Sequence, residues 1–271
     1  MKHSIEIGGL QRDIDIRPMD EDFIVCRKMY VPPLTRENIS EINPGDWREH
    51  LEEFKRAGWQ HLIQEFFRRQ IRALGSCAML GWDGNGVVAK MHFTTAEMYD
   101  AFKARGGCYC IESRSMPAVI ESLEDGEVAE LLKSPSRTLR LLCFNVGHLD
   151  QRYHGQGIAT ALIECLKQWA REQGWRRILT DSCPDITPPT IVGAHLLRRG
   201  ALERRGFRVL KSSLAPPEQA QARLRAIEAF ASGAKDHPAG ADWYVRNFAR
   251  HYATFAWRSD YDLDHVMACD L

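Results

Sequence analysis

From Arg152 to Thr160 the chain reads Arg-Tyr-His-Gly-Gln-Gly-Ile-Ala-Thr. Two glycines beside donor side chains at this spacing suit the binding of an anion. The apolar run before them, from Leu139, reads as a strand. In the segment after them Ile158, Ala161, Leu162, Cys165, Leu166 and Trp169 recur at helical spacing, and the helix they predict ends near Gly174. A helix start leaves four amide N–H groups without intrahelical partners and carries partial positive charge. A pyrophosphate satisfies both if it can reach the main chain, which glycine permits because no side chain intervenes and positive φ is tolerated. Arg152 and His154 add cationic or donor groups beside the turn. The competing reading is that the glycines are turn residues only.

Arg152, Gly155 and Gly157, continued by Ile158 and Ala159, resemble the acyl-CoA-binding signature R/Q-x-x-G-x-G/A of the GNAT superfamily of N-acyltransferases. The resemblance implies acetyl-CoA as acyl donor. Its pyrophosphate would lie in the turn of Arg152, His154, Gly155, Gln156, Gly157, Ile158, Ala159 and Thr160, and its pantetheine arm would pair with the strand end near Leu149. It also implies a GNAT-like α/β (α+β) fold, a mixed, splayed central sheet flanked by helices. No G-x-G-x-x-G run occurs here, so a dinucleotide-binding reading fits less well.

At 271 residues the chain is long enough for one large domain or two small ones. Its 36 basic and 36 acidic residues cancel, which removes any global electrostatic argument for nucleic acid or an anionic membrane surface. No run reaches the roughly 18 apolar residues that a membrane span needs. The N-terminal stretch alternates in polarity without an apolar signal core, so the expectation is a cytoplasmic protein with neither nucleic-acid nor membrane partners. Eight cysteines are spread along the chain, as expected of buried thiols rather than disulfides. Cys108 and Cys110 form the only close pair and lack the second ligand pair of a zinc site, so no metal is expected.

The elements that must position the turn can be read in order. Residues 14–18 alternate as a short strand, and the acidic cluster at 20–22 suits a helix start. From Trp47 to Leu74 an aromatic and aliphatic stripe predicts a helix that either packs into the core or walls an acceptor pocket. Residues 77–82 and 87–94 flank Asp-Gly-Asn-Gly and predict a hairpin, with Lys90 and His92 pointing to solvent. Residues 95–137, with a helix over 120–132, form an insertion that either covers the acceptor pocket or decorates the surface. A strand over 177–181 follows the glycine-turn helix. Next come a basic helix over 195–205 closed by Gly206 and a strand over 207–210. Residues 1–211 would form the acyltransferase core. Residues 212–271 would form a helical extension, with helices over 218–230 and around Trp243 to Phe255, ending in a last strand at 261–271 beside 207–210.

Acyl transfer from a thioester requires a neutral amine, a polarised carbonyl and departure of the thiolate. Two positions depart from the family pattern: Leu202 stands where many members place a tyrosine acid, and Leu141 and Leu142 stand where many carry a glutamate base. The candidate bases are Asp181, otherwise a turn or cap carboxylate, and His195, otherwise a plain helix-start residue. Cys143 and Cys183 have no Cys-His-acid spacing around them, which favours direct attack by the acceptor. The expected function is acetyl transfer to a primary amine of a small molecule or peptide. The alternatives are a catalytically silent acyl-CoA-binding or sensing module, and a phosphate-binding protein of another fold. A homodimer is compatible with the chain.

Overall fold

The computed structural model describes residues 1–24, 58–84, 86–107, 109, 115–146, 151–183, 197–231 and 261–271. They divide into two units, residues 1–178 with Leu271, and residues 179–270.

The first unit opens with β1 (Lys2–Ile7) and β2 (Leu10–Pro18), antiparallel across Gly8 and Gly9. Both turn residues have positive φ, 60° and 79°, as a tight hairpin between right-twisted strands requires. After α1 (Trp59–Leu74), β3 (Ala78–Asp83) and β4 (Gly86–Thr95) form the expected second hairpin, with a bulge at Gly81 and Trp82. Then come α2 (Ala96–Ala104), α3 (Ser115–Ser122), α4 (Asp125–Lys133), β5 (Thr138–Val146), α5 (Ile158–Glu172) and the start of β6 (Arg177–Cys183). β2 pairs with β3, β3 with β4 and β4 with β5, all antiparallel.

β4 is buried along its whole length, and its alternate side chains meet different helices. On one face the Phe93 ring lies 5.0 Å from that of Trp169 on α5. On the other, His92 lies 5.3 Å from Phe67 of α1, and Thr94 Oγ1 donates to Gln70 Oε1 of α1 at 2.6 Å. Successive strand residues point to opposite faces, so α1 and α5 cover opposite sides of the sheet. The aromatic stripe of α1 is core: Phe66 lies 5.7 Å from Phe102 of α2 and 6.0 Å from Tyr109.

This sandwich corrects several expectations. Lys90 and His92 do not face solvent. They are 3% and 2% exposed because α1 covers their side of β4. The segment 95–137 holds three helices where one was expected. Thr95 starts the first by accepting from Met98 N–H at 3.1 Å, and the extended backbone of Glu124 (φ −73°, ψ 149°) separates α3 from α4. Asp20 begins a turn, its Oδ1 accepting from the amides of Asp22 and Phe23. The helix expected to follow it, and the Trp47 to Ala57 part of the α1 stripe, lie outside the described residues.

In the second unit β6 pairs in parallel with β7 (Leu197–Arg198), α6 (Arg199–Glu203) follows, and β8 (Arg208–Leu214) runs antiparallel to β9 (Leu263–Asp270). Parallel and antiparallel pairs therefore both occur, the mixed sheet that was expected. Within the described part of 195–205 the helix is only five residues long, since Leu197 and Arg198 pair with Ser182 and Cys183 instead. α7 (Pro217–Ala231) is fastened to β9 through Arg223, 1% exposed, whose guanidinium donates to Asp264 Oδ1 and to the Leu263 carbonyl. The helix expected around Trp243 to Phe255 lies outside the described residues.

Cys77, Cys165, Cys183 and Cys269 are buried and not joined in disulfides. Among the described residues no helix is long and apolar enough to cross a membrane, and no group of three His, Cys, Asp or Glu side chains could hold a metal ion.

Two outcomes follow from this packing. Phe93→Ala removes the ring between β4 and α5 and is expected to cost about 3–5 kcal/mol in chemical denaturation. Glu97 of α2 carries a second expectation. Burial pushes its carboxyl up, but hydrogen bonds from Ser136 and Ser134 outweigh that and leave its pKa below the ordinary value. A depressed carboxylate stabilises the fold above its unfolded pKa of about 4.5, and that contribution is lost as pH falls through the lower folded value. The stability gap between wild type and Glu97→Gln should thus be full at neutral pH and vanish in strong acid.

Candidate functional site

β5 carries the chain to Val146, and the description resumes in a 3-10 turn at Gln151–Tyr153, followed by the glycine turn and α5. Gly155 and Gly157 have φ of 72° and 77°, left-handed values that exclude most side chains. Gly157 occupies the N-cap of α5, and no side chain caps that helix. A serine or aspartate there would bond the first-turn amides itself. Glycine provides no such acceptor, so the anion-binding capacity of the helix start is not consumed by a cap.

Several contacts hold the turn from the side of the two hairpins. Tyr153, 4% exposed, donates its hydroxyl to Asp83 Oδ2 at 2.8 Å, and Arg12 Nη1 meets the same carboxylate at 3.0 Å. His154 Nε2 donates to the Val146 carbonyl at 2.9 Å, tying the turn to the end of β5. Gln156 Nε2 donates to the Glu6 carbonyl of β1 at 2.9 Å. His3 Nε2, also from β1, donates to the Gln156 carbonyl at 2.7 Å. A carbonyl can only accept, so in both histidine contacts Nε2 carries the hydrogen.

The expected residues therefore divide by role. Arg152, Gly155 and Gly157 are exposed, and His154, Gln156, Ala159 and Thr160 are half-buried around the turn. Ile158 is 1% exposed, so its side chain belongs to the core and only its main chain faces the turn. The Gln156 side chain and His154 Nε2 are engaged in holding the turn. Leu149 and His195 lie outside the described residues. Asp181 is half-buried within β6 rather than at its end, because Ser182 and Cys183 continue the strand by pairing with β7. Leu202 is wholly buried and Leu141 is 4% exposed. Burial pushes the thiols of Cys77 and Cys165 up, away from the nucleophilic thiolate. Cys183 is likewise fully buried.

Sequence reasoning missed His3, Tyr153 and Asp83. Gly8 and Gly9, flanked by alternating residues, were the signal for β1, and hence for a residue on it that reaches the turn. Nothing in the spacing signals the Tyr153–Asp83 pair, 70 residues apart.

Residues 146–188 match the family model described as acetyltransferase (GNAT) family, a segment that opens at the last residue of β5 and includes the glycine turn and α5. The glycine turn and the helix after it thus lie inside a segment similar to GNAT acetyltransferases. The likeness to that family covers residues 146–188 of the 271. No curated protein matches the sequence. Solved structures similar to it include a polyamine N-acetyltransferase from Drosophila melanogaster that forms N-acetylagmatine (12% identity, 96% of this chain and 100% of that chain, TM-score 0.40). Another is an acetyltransferase of the GNAT family from Streptococcus pneumoniae (9% identity, 95% and 99%, TM-score 0.40). A third is an IAA acetyltransferase from Bacillus cereus (10% identity, 95% and 99%, TM-score 0.36).

Gly157→Ala tests the left-handed cap. A Cβ there must adopt positive φ and would stand 3.3 Å from His3 Nε2. The expected cost is about 1–2 kcal/mol, read as a lowered denaturant midpoint at unchanged slope.

Proposed function

We propose that the chain transfers an acetyl group from acetyl-CoA to a primary amine by direct attack within a ternary complex. The observation that carries this reading is the uncapped start of α5 behind two left-handed glycines, inside a segment matching the family model. The pyrophosphate sits against the amides of the turn and the first residues of α5, with exposed Arg152 countering its charge. Main-chain groups near Leu149, which follows β5 in sequence, bond the pantetheine arm, as the resemblance implies. The acceptor is a small-molecule or peptide amine, and buried cysteines outside disulfides fit a cytoplasmic setting.

The proton inventory shapes the mechanism. The amine loses a proton as it attacks the thioester carbonyl, and Asp181 or His195 receives it. The tetrahedral intermediate then collapses and expels the CoA thiolate. Leu202, apolar and wholly buried, offers no proton to that thiolate. The thiolate leaves as the anion or takes a proton from solvent, and orienting the two substrates supplies much of the rate.

A silent acyl-CoA-binding module is the competing reading, favoured by Leu202. Purified protein is incubated with acetyl-CoA and a panel of amines while thiol release is followed and CoA affinity is measured by calorimetry. Transfer predicts acceptor-dependent thiol release, whereas tight CoA binding without release supports the silent module. Gly155→Leu places a side chain where the main chain must approach the donor. CoA binding should be lost while the circular dichroism spectrum is retained, since the left-handed strain of about 1–2 kcal/mol is small beside typical domain stability. Unchanged affinity in Gly155→Leu counts against the donor site.

A further inference from the structure

The peptide between Gln156 and Gly157 occupies a critical place. Its carbonyl points to β1 and its N–H belongs to the residue that caps α5. In a planar trans peptide the C=O and N–H bonds point in opposite directions. Whatever holds the Gln156 carbonyl therefore aims the Gly157 N–H away from β1. The peptide also needs holding. Turning this peptide plane changes ψ of Gln156 and φ of Gly157, and because Gly157 tolerates φ of either sign the chain offers little steric resistance on that side.

We propose that His3 is a positioning residue for the acyl donor: by donating from Nε2 to the Gln156 carbonyl it locks this peptide with its N–H turned outward to the pyrophosphate. The inference rests on the donor site proposed above and adds a residue about 150 positions away in sequence. Three observations carry it. The His3 to Gln156 bond is 2.7 Å long, the His3 ring lies close enough to Gly157 that a Cβ there would sit 3.3 Å from Nε2, and the Gln156 side chain returns to β1 through the Glu6 carbonyl at 2.9 Å. The bond between His3 and Gln156 fixes the peptide, and the bond between Gln156 and Glu6 fixes the side chain of the same residue. β1 thus acts as a splint for the turn, with His3 as the contact that sets amide direction. Both the neutral Nε2–H tautomer and the imidazolium supply this hydrogen, so the role does not depend on the ring's charge.

The test compares wild type, His3→Ala and His3→Gln, the last retaining an N–H donor on a side chain of similar reach. CoA and dephospho-CoA affinities are measured by calorimetry, and the KM values for acetyl-CoA and for a working amine by thiol release. His3→Ala should weaken CoA about fivefold to tenfold, the equivalent of one lost hydrogen bond. Dephospho-CoA should weaken by the same factor, because the pyrophosphate is common to both. The donor KM should rise while the amine KM holds, and His3→Gln should recover most of the loss. A general structural defect would move both KM values together, and His3→Gln would not separate them. Wild type that binds CoA alongside a His3→Ala protein of unchanged affinity overturns this inference and leaves the donor site standing. Wild type that takes up no CoA overturns the donor site and this inference together.

Discussion

The arrangement depends on β4 being covered on both faces. A strand with one wet face can carry its polar residues outward, but a strand under two helix layers must bury every side chain it has. Phe93 on one face and His92 on the other commit β4 to α5 and α1 at once. Because α5 is held against the sheet by contacts such as Phe93 to Trp169 and Cys165 Sγ to the Ile16 carbonyl, its start cannot drift from the end of β5. The helix dipole and the first-turn amides are consequently delivered to one fixed place. The same constraint buries Lys90, His92 and Thr94 of β4 and Gln70 of α1, where burial without hydrogen bonding would be costly, and the Thr94 to Gln70 bond is one of the contacts that offset it.

A second layer of support lies in the two N-terminal hairpins. Glycines confer the geometry an anion needs but also remove the steric restraint that would keep it. The restraint is restored from outside the turn, by Asp83 on Tyr153, by the Val146 carbonyl on His154, and by β1 on Gln156. Division of labour between flexible backbone and remote polar tethers explains why the side chains of Gln156 and Ile158, though within the signature, are committed elsewhere. Gln156 is engaged with β1 and Ile158 with the core.

How much of this was legible in the sequence depends on the range over which each determinant acts. The strand, turn and helix from 138 to 172 were readable because periodicity, two glycines and an apolar run are local signals. The 78–95 hairpin was readable from its turn chemistry, and the last strand was expected beside 207–210, where β9 pairs with β8. The burial of Lys90 and His92 was not, since it depends on α1 covering that face, and alternation alone cannot tell a solvated face from a covered one. The helix expected over 120–132 merged the end of α3 with α4 and left α2 unseen, because each is only eight or nine residues long, too short for a pattern to stand clear of its neighbours. His3 and Asp83 escaped because tertiary contact, not spacing, gives them their part in the site.

The proposed chemistry depends on what the chain carries at the position where the resemblance implies an acid. A wholly buried leucine at 202 cannot protonate a thiolate, and no rearrangement of rotamers gives a hydrocarbon a proton. A thiolate is a far better leaving group than an alkoxide or an amide anion, because the ordinary thiol pKa of about 8.5 puts its anion within reach of neutral water. Loss of the acid therefore taxes this reaction less than it would tax ester or amide cleavage. The group that cannot be dispensed with is the one that receives the amine's proton, since an ammonium nitrogen has no electron pair with which to attack. In the proposed transfer the base and the geometry that brings donor and acceptor together therefore matter most, and the turn tethered to β1 is part of that geometry.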